Sequence, residues 1–266
     1  MAAKEKVKLK LVPIGQLLPH EETVPSLADR LSRKMMRDSV QRDPIIVDEK
    51  SSIVLDGMHR LASLKRMGAK CVVCSLVDYA SDEVKLFRWF RFVENPDEGL
   101  VLEARRELSM TEEASLTWDD ETLHSGLKLT YRGKAFKPTT EVTTESVVEA
   151  ARRFDRVVRN DGAPMGYIDE GTVSSELLTG DCMALITPIF KKEQVARAAV
   201  EGRLFPPKTT LHVLPARPMG VNYPIALLRS QEDILDRMLS TRTPRTIEAP
   251  SFYRGRLYRE PVVVFE

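Results

Sequence analysis

The chain of 266 residues is poor in cysteine, with three, and in histidine, with four, and only 6% of it is aromatic. Three cysteines build no disulfide framework, so an ordinary hydrophobic core in a reducing compartment must hold the fold. Charge of one sign is also missing. Lys plus Arg number 40 against 39 for Asp plus Glu, a net charge of +1, which gives no basic footprint for nucleic acid or an anionic membrane. No apolar run approaches the roughly 20 residues that cross a bilayer, and "MAAKEKVKLK" lacks the apolar centre of a signal peptide. These absences point to a cytoplasmic globular protein with local binding sites, no membrane partner and no nucleic-acid partner. They leave its oligomeric state open.

The length suits one large domain or two modest ones. Val7, Leu9 and Leu11 alternate like a half-buried strand, which Pro13 and Pro19 end before a loop carrying His20 and Glu21. "SLADRLSRKMMRDSV" spaces Leu27, Leu31, Met35 and Val40 along one helical face and leaves Arg30, Arg33, Lys34 and Arg37 as a solvated basic face. "PIIVDEKSSIVLDG" reads as a β-hairpin ending at Asp56. From Met58 the period changes: Leu61, Leu64 and Met67 recur helically, and Gly68 suits the helix end. "CVVCSLV" reads as a buried strand whose alternation turns Cys71 and Cys74 to opposite faces, making them core thiols rather than a metal or redox pair.

Further along, "SDEVKLFRWFRFV" opens like a capping box at Ser81 and predicts a short helix or a helix-to-strand transition containing Trp89. Residues 95–164 are polar, with helical patches such as "ESVVEAARRFDRVVR". "DCMALITPIF" reads as a strand, "KKEQVARAAVEGRLF" as an amphipathic helix and "PPKTTLHVLPARP" as a proline-framed extended loop. The stretch after about Ser230 reads as a loosely packed tail.

One junction carries the chemistry. "IVLDGMHRLASLKRMG" places Arg60 in a first helical turn, where peptide dipoles leave a partial positive charge worth about 0.3–1 kcal/mol against an exposed cation. Two readings follow. Asp56 can pair with Arg60 across the turn, or the helix-start N–H groups, Gly57, His59 and Arg60 can cradle a phosphate. His20, His59 and His212, with Glu21 or Asp56, also suggest a metal hydrolase site, although no pair has the close helical spacing of such sites.

"LDGMHRLASLKRMG" resembles "VDGHHR…LG" of the archaeal ADP-dependent free L-serine kinases and "IDGVHR…SLKALG" of a related bacterial serine kinase of a siderophore pathway. Both belong to the ParB/sulfiredoxin-like superfamily. "LVPIGQLLPHE", "DPIIV", "DEVKLFRWF" and "GRLFPPKTTLHVLP" resemble family segments in the same order, thinly in the middle and hardly at all after Ser230. The resemblance implies an α/β (α+β) fold. A ParB/sulfiredoxin-like nucleotide-binding domain would span 1–95. A mostly helical insert plus a C-terminal strand-helix-loop over 96–230 would form a second mixed α/β part completing a substrate cleft, and 231–266 would be the tail.

The resemblance further implies a kinase that, with Mg²⁺, moves phosphate from ADP or ATP to the hydroxyl of free L-serine, giving O-phosphoserine for serine or cysteine metabolism. Position by position, Glu21 matches the base and Asp56 the essential aspartate and Mg²⁺ ligand. Gly57, His59 and Arg60 match the phosphate cradle, Lys208, Thr209 and Thr210 later nucleotide-phosphate contacts, and Trp89 and His212 the substrate pocket. Met58 stands where the archaeal motif has a second histidine, and Leu211 where relatives carry an arginine; Arg217 and Arg203 are the candidate replacements. The alternatives are a ParB-like nucleotide-binding regulator or DNA-associated protein without kinase activity, and a sulfiredoxin-like oxidoreductase. The first lacks the partition proteins' "GERR"-type motif and helix-turn-helix, and the second its motif cysteine.

Overall fold

The alternation that begins at Val7 becomes strand β1, Lys8–Pro13, and a second strand, β2, lasts only for Leu18–Pro19. The computed structural model describes residues 3–113, 126–173 and 179–266. They fall into two compact units, one of Met1–Lys85, Val195–Pro207 and His212–Glu266, the other of Leu86–Gln194 and Lys208–Leu211.

In the first unit helix α1, Pro25–Asp38, is followed by strands β3, Val40–Gln41, and β4, Ile45–Asp48. Strand β5, Ile53–Asp56, runs straight into helix α2, Met58–Arg66, and strand β6, Cys71–Val77, follows. The five-stranded sheet has the order β1-β6-β4-β5-β2. As the alternation and turn residues predict, β4 and β5 form an antiparallel hairpin, while β2 runs parallel to β5 for two residues. Cys71 and Cys74 are both buried free thiols in β6, and burial pushes both thiol pKa values up. Helix α1 buries Ala28, Ser32 and Met35, whereas Leu27 stays 47% exposed. The buried stripe thus runs through Ala28, Ser32 and Met35 in place of Leu27, and the helix packs against α2. The Ser63 hydroxyl pins α2 to α1 by donating to the Ala28 carbonyl at 2.9 Å.

The second unit corrects two expectations. Ser81 opens a turn, and residues 85–94 form one long strand, β7, Lys85–Glu94, with no helix before it. Strand β7 is rich in aromatic and cationic side chains, and Arg88 and Arg91 are buried in ion pairs with Glu170, at 2.8 Å, and Asp155, at 2.7 Å. Among the described residues the middle of the chain is also not mostly helical. Between helices α3, Glu98–Glu107, and α4, Thr144–Asp161, it forms β8, Met110–Glu112, β9, Lys128–Tyr131, and β10, Lys134–Pro138. Strands β11, Met165–Asp169, and β12, Cys182–Ile186, then flank β7 on either side. The sheet runs β11-β7-β12-β9-β10-β8, with β13, Thr210–Val213, also on β7 and helix α5, Lys192–Val200, preceding it.

The remainder returns to the first unit as β14, Arg217–Met219, β15, Tyr223–Pro224, and helices α6, Ile225–Ser230, and α7, Leu235–Ser240. Four short strands follow: β16, Arg245–Ile247, β17, Ser251–Tyr253, β18, Arg256–Tyr258, and β19, Val262–Val264. Residues 231–266 are therefore no loose tail. Strand β19 lies between β14 and β16, its three valines are buried, and Val263, Phe265 and Leu235 join the same core as Val54 and Leu64. Among the described residues no helix is long and apolar enough to cross a membrane.

Candidate phosphate and acid site

The β5-to-α2 junction requires a glycine. Gly57 holds φ +105°, and a Cβ there would lie 2.9 Å from Arg60 Nη2, so only glycine allows both the turn and the guanidinium folded over it. Helix α2 has no side-chain cap at its start, which leaves the positive end of its dipole for another group. Both readings of the sequence meet here. Arg60 Nη2 does pair with Asp56 Oδ2, but at 3.3 Å, and Arg60 Nε is buried without a hydrogen-bond partner among the described residues.

Asp56 has a second, closer cation. Arg217 Nη1 donates to Asp56 Oδ2 at 2.6 Å, its Nε donates to Glu260 Oε1 at 2.5 Å and its Nη2 to the His212 carbonyl at 3.2 Å. The Tyr258 ring lies near two guanidiniums, 5.9 Å from that of Arg217 and 5.1 Å from that of Arg256. Burial opposes ionisation of Asp56, yet Arg60, Arg217 and Arg256 outweigh it and hold its carboxyl well below the usual carboxylate range. Burial likewise opposes the charge of Arg217, but the flanking carboxylates of Asp56 and Glu260 outweigh it and raise the pKa. Of the two cations considered against Leu211, Arg217 is the one at Asp56, while Arg203 pairs with the exposed Glu201.

The histidines hold backbone. Strand β2 stops after pairing with Ile53 and Val54, and the next residue, His20, continues the edge by donating from Nδ1 to the Val54 carbonyl at 2.6 Å. His212 hydrogen-bonds the Leu55 backbone and lies 3.0 Å from the Tyr79 hydroxyl through Nε2. The two rings meet edge to face at 5.4 Å. Two buried imidazoles thus pin the residues immediately before Asp56. His212, expected in a substrate pocket, is only 3% exposed and faces this interior cluster. His59 accepts the Val24 N–H at 3.0 Å on Nε2, which ties α2 to the residue before α1. Glu21 is 6% exposed. Its backbone bridges to Phe205, and its Oε1 lies 3.8 Å from His20 Nε2.

Trp89, Lys208, Thr209 and Thr210 belong to the second unit. Lys208, at φ +61°, places its ammonium 4.3 Å from the centre of the Trp89 ring. Thr209, Thr210 and Leu211 are buried at the entry to β13.

Glu260, Arg256 and Tyr258 escaped the sequence reading. One signal was present: "PVVVF" is a continuous apolar run bounded by proline, the pattern of a buried strand, and it carries Glu260 inward beside it.

Among the described residues no three His, Cys, Asp or Glu side chains gather as a metal cluster, so the zinc-hydrolase arrangement has no counterpart there. Asp56 offers one carboxylate whose Oδ2 already serves two guanidiniums. One carboxylate is enough for a Mg²⁺ ion, which rarely needs an all-protein cage, so Asp56 would be the residue that holds it.

No protein-family model matches the chain. It is 29% identical over 229 residues, 82% of this chain and 90% of the relative, to an ATP-dependent L-serine kinase of Staphylothermus marinus. It is 24% identical over 231 residues, 80% of this chain and 90% of the relative, to an ADP-dependent L-serine kinase of Thermococcus kodakarensis. The chain is a homologue of the L-serine kinases. A free serine kinase in complex with ADP, carrying a glutamate-to-alanine substitution, shares the fold with a TM-score of 0.69 and 21% identity over 84% of this chain and 94% of that one. A ParB-like protein of Sulfolobus acidocaldarius is 31% identical over 86 residues, 32% of this chain and 43% of the relative. The mixed α/β architecture with its ParB-like portion is therefore as the kinase resemblance implies.

Proposed function

We propose that this homologue of the L-serine kinases transfers the terminal phosphoryl group of ATP or ADP to the hydroxyl of free L-serine, giving O-phosphoserine and ADP or AMP. The observation that carries the reading is the Asp56–Gly57–Arg60 junction: an uncapped helix start, a glycine turn and an under-used guanidinium beside an ionised aspartate. Phosphoryl transfer asks a protein mainly for positioning and charge neutralisation, and this junction supplies both.

In this reading the start of α2 and Arg60 bind the nucleotide phosphates, and Gly57 makes the room. Asp56 would hold Mg²⁺, which when bound neutralises phosphate charge. Glu21 accepts the proton from the serine hydroxyl as its oxygen bonds to the terminal phosphorus and the bond to the bridging oxygen of the nucleotide breaks. Lys208, Thr209, Thr210 and Trp89 contribute further phosphate and substrate contacts. His59 and His212 act through the backbone they hold. A free amino acid and a nucleotide as substrates place the work in the cytoplasm, in serine or cysteine metabolism.

The test compares the unmodified protein with Glu21→Gln, each given L-serine, Mg²⁺ and ATP or ADP, with O-phosphoserine measured by mass spectrometry. Loss of the base lowers turnover by about 10² or more, while nucleotide affinity stays near that of the unmodified protein. Equal turnover in both proteins would remove Glu21 from the mechanism. Nucleotide binding without any phosphoserine in the unmodified protein would favour the ParB-like binding function.

A further inference from the structure

Asp56 Oδ2 is shared by two arginines that are built for different duties. Arg217 is buried, with its side chain 5% exposed, and every one of its guanidinium nitrogens is engaged: Nη1 by Asp56, Nε by Glu260, Nη2 by the His212 carbonyl. Glu260 is itself buried, so moving Arg217 would leave a carboxylate stranded in the interior. Arg60 is the opposite case. Its side chain is 25% exposed, it touches Asp56 through one bond of 3.3 Å, and its Nε has no partner among the described residues. It also sits at the uncapped start of α2, folded over Gly57.

An anion at that helix start changes the balance for one arginine only. A phosphate offers Arg60 a charged, bidentate partner in place of a single long bond. It offers Arg217 nothing that Glu260, Asp56 and the His212 carbonyl do not already provide. We propose that Arg217, locked by Glu260 from the C-terminal segment, is a positioning residue that keeps Asp56 fixed, while Arg60 is the arginine that leaves Asp56 for the nucleotide phosphate. This rests on the phosphotransfer reading above and adds to it the positioning role of Arg217 and its partner Glu260, the latter from the segment after Ser230 where the kinase resemblance fades. The two arginines thereby separate affinity from turnover: Arg60 carries binding, and Arg217 with Glu260 carries the geometry of the carboxylate. Only while Arg217 stays can Asp56 remain in place once Arg60 has gone.

The experiment uses the full chain with Arg60→Gln, Glu260→Gln and Arg217→Lys. ADP affinity is measured by calorimetry, and kcat and KM for serine phosphorylation are expressed per titrated ADP site, so that unfolded protein does not count. Arg60→Gln weakens ADP by about tenfold or more. Glu260→Gln, which keeps the size of the side chain and removes its charge, changes ADP affinity by less than about threefold and lowers kcat by about tenfold or more. Arg217→Lys, which keeps a cation but loses the fork, shows the same pattern and serves if Glu260→Gln does not fold. The inference is overturned if Glu260→Gln weakens ADP as much as Arg60→Gln, or if kcat per site is unchanged. If the unmodified protein binds ADP but makes no phosphoserine, the kinase reading alone fails, and the contrast in ADP affinity between Arg60→Gln and Glu260→Gln decides this one. A protein that binds neither ADP nor ATP overturns both.

Discussion

His212 is held neutral at its post between Tyr79 and His20. Burial is the main cause, the neighbouring His20 and Arg217 add to it, and Asp56 and the Leu55 hydrogen bond only partly oppose it, so the imidazole pKa lies well below its ordinary 6.5. The unfolded chain binds this proton as pH falls through about 6.5 and the folded chain does not. Stability is therefore undiminished by His212 above that pH and declines below it, by up to about 1.4 kcal/mol per pH unit from this group. Denaturant midpoints at pH 7.5 and pH 5.5 should show the decline in the unmodified protein and a shallower one in His212→Gln. Equal declines would mean that the ring is not buried neutral. This residue also shows what a sequence reveals at its own scale. His20, His59 and His212 suggest chemistry as a set because they stand in polar, loop-flanked stretches. Their places in the structure are at backbone groups: the Val54 carbonyl, the Val24 N–H and the Leu55 backbone. Sequence shows the polar residue but not the distant carbonyl that β2 leaves unpaired when it ends.

Among the elements, β5 and α2 were legible because glycines punctuate them. Gly57 starts the helix and Gly68, at φ +75°, ends it. Gly57→Ala adds a side chain at φ +105° and brings a methyl group to 2.9 Å from Arg60 Nη2. The backbone strain costs about 1–3 kcal/mol, and relieving the contact pushes Arg60 off Asp56. Thermal unfolding should show the lost stability, and ADP titration a weakened complex. A variant with unchanged unfolding and unchanged ADP affinity would refute the turn as described. Strand β7 departs from the expected helix start for a physical reason: Ser81 looks like a helix cap, but it only closes a turn, accepting the Glu83 N–H on its hydroxyl at 3.2 Å. The run that follows gains its strand pairing from β11 and β12, which lie far along the chain.

At the scale of the molecule, the units do not follow the order of the chain. The first takes residues from both ends and a piece between, and the second is completed by Lys208–Leu211. The boundary at 95 follows the polar stretch that begins there and the one at 230 the fading of the kinase resemblance, yet the C-terminal strands are three residues each, too short for periodicity to register, and their partners are remote. Ending the chain at Ser230 would remove Leu235, Val262, Val263, Val264 and Phe265 from the core together with Glu260. Each such apolar side chain contributes about 1.5–3 kcal/mol when fully buried, so the shortened chain should fail to accumulate as folded protein. A shortened chain that melts at the same temperature as the full one would restore the loose tail. The central claim is phosphoryl transfer to serine, and ³¹P NMR of the unmodified protein with L-serine, Mg²⁺ and ATP or ADP tests it most directly. The account predicts an O-phosphoserine resonance growing as the terminal phosphate signal of at least one nucleotide declines. Intact nucleotide, or release of inorganic phosphate alone, with both donors would contradict it.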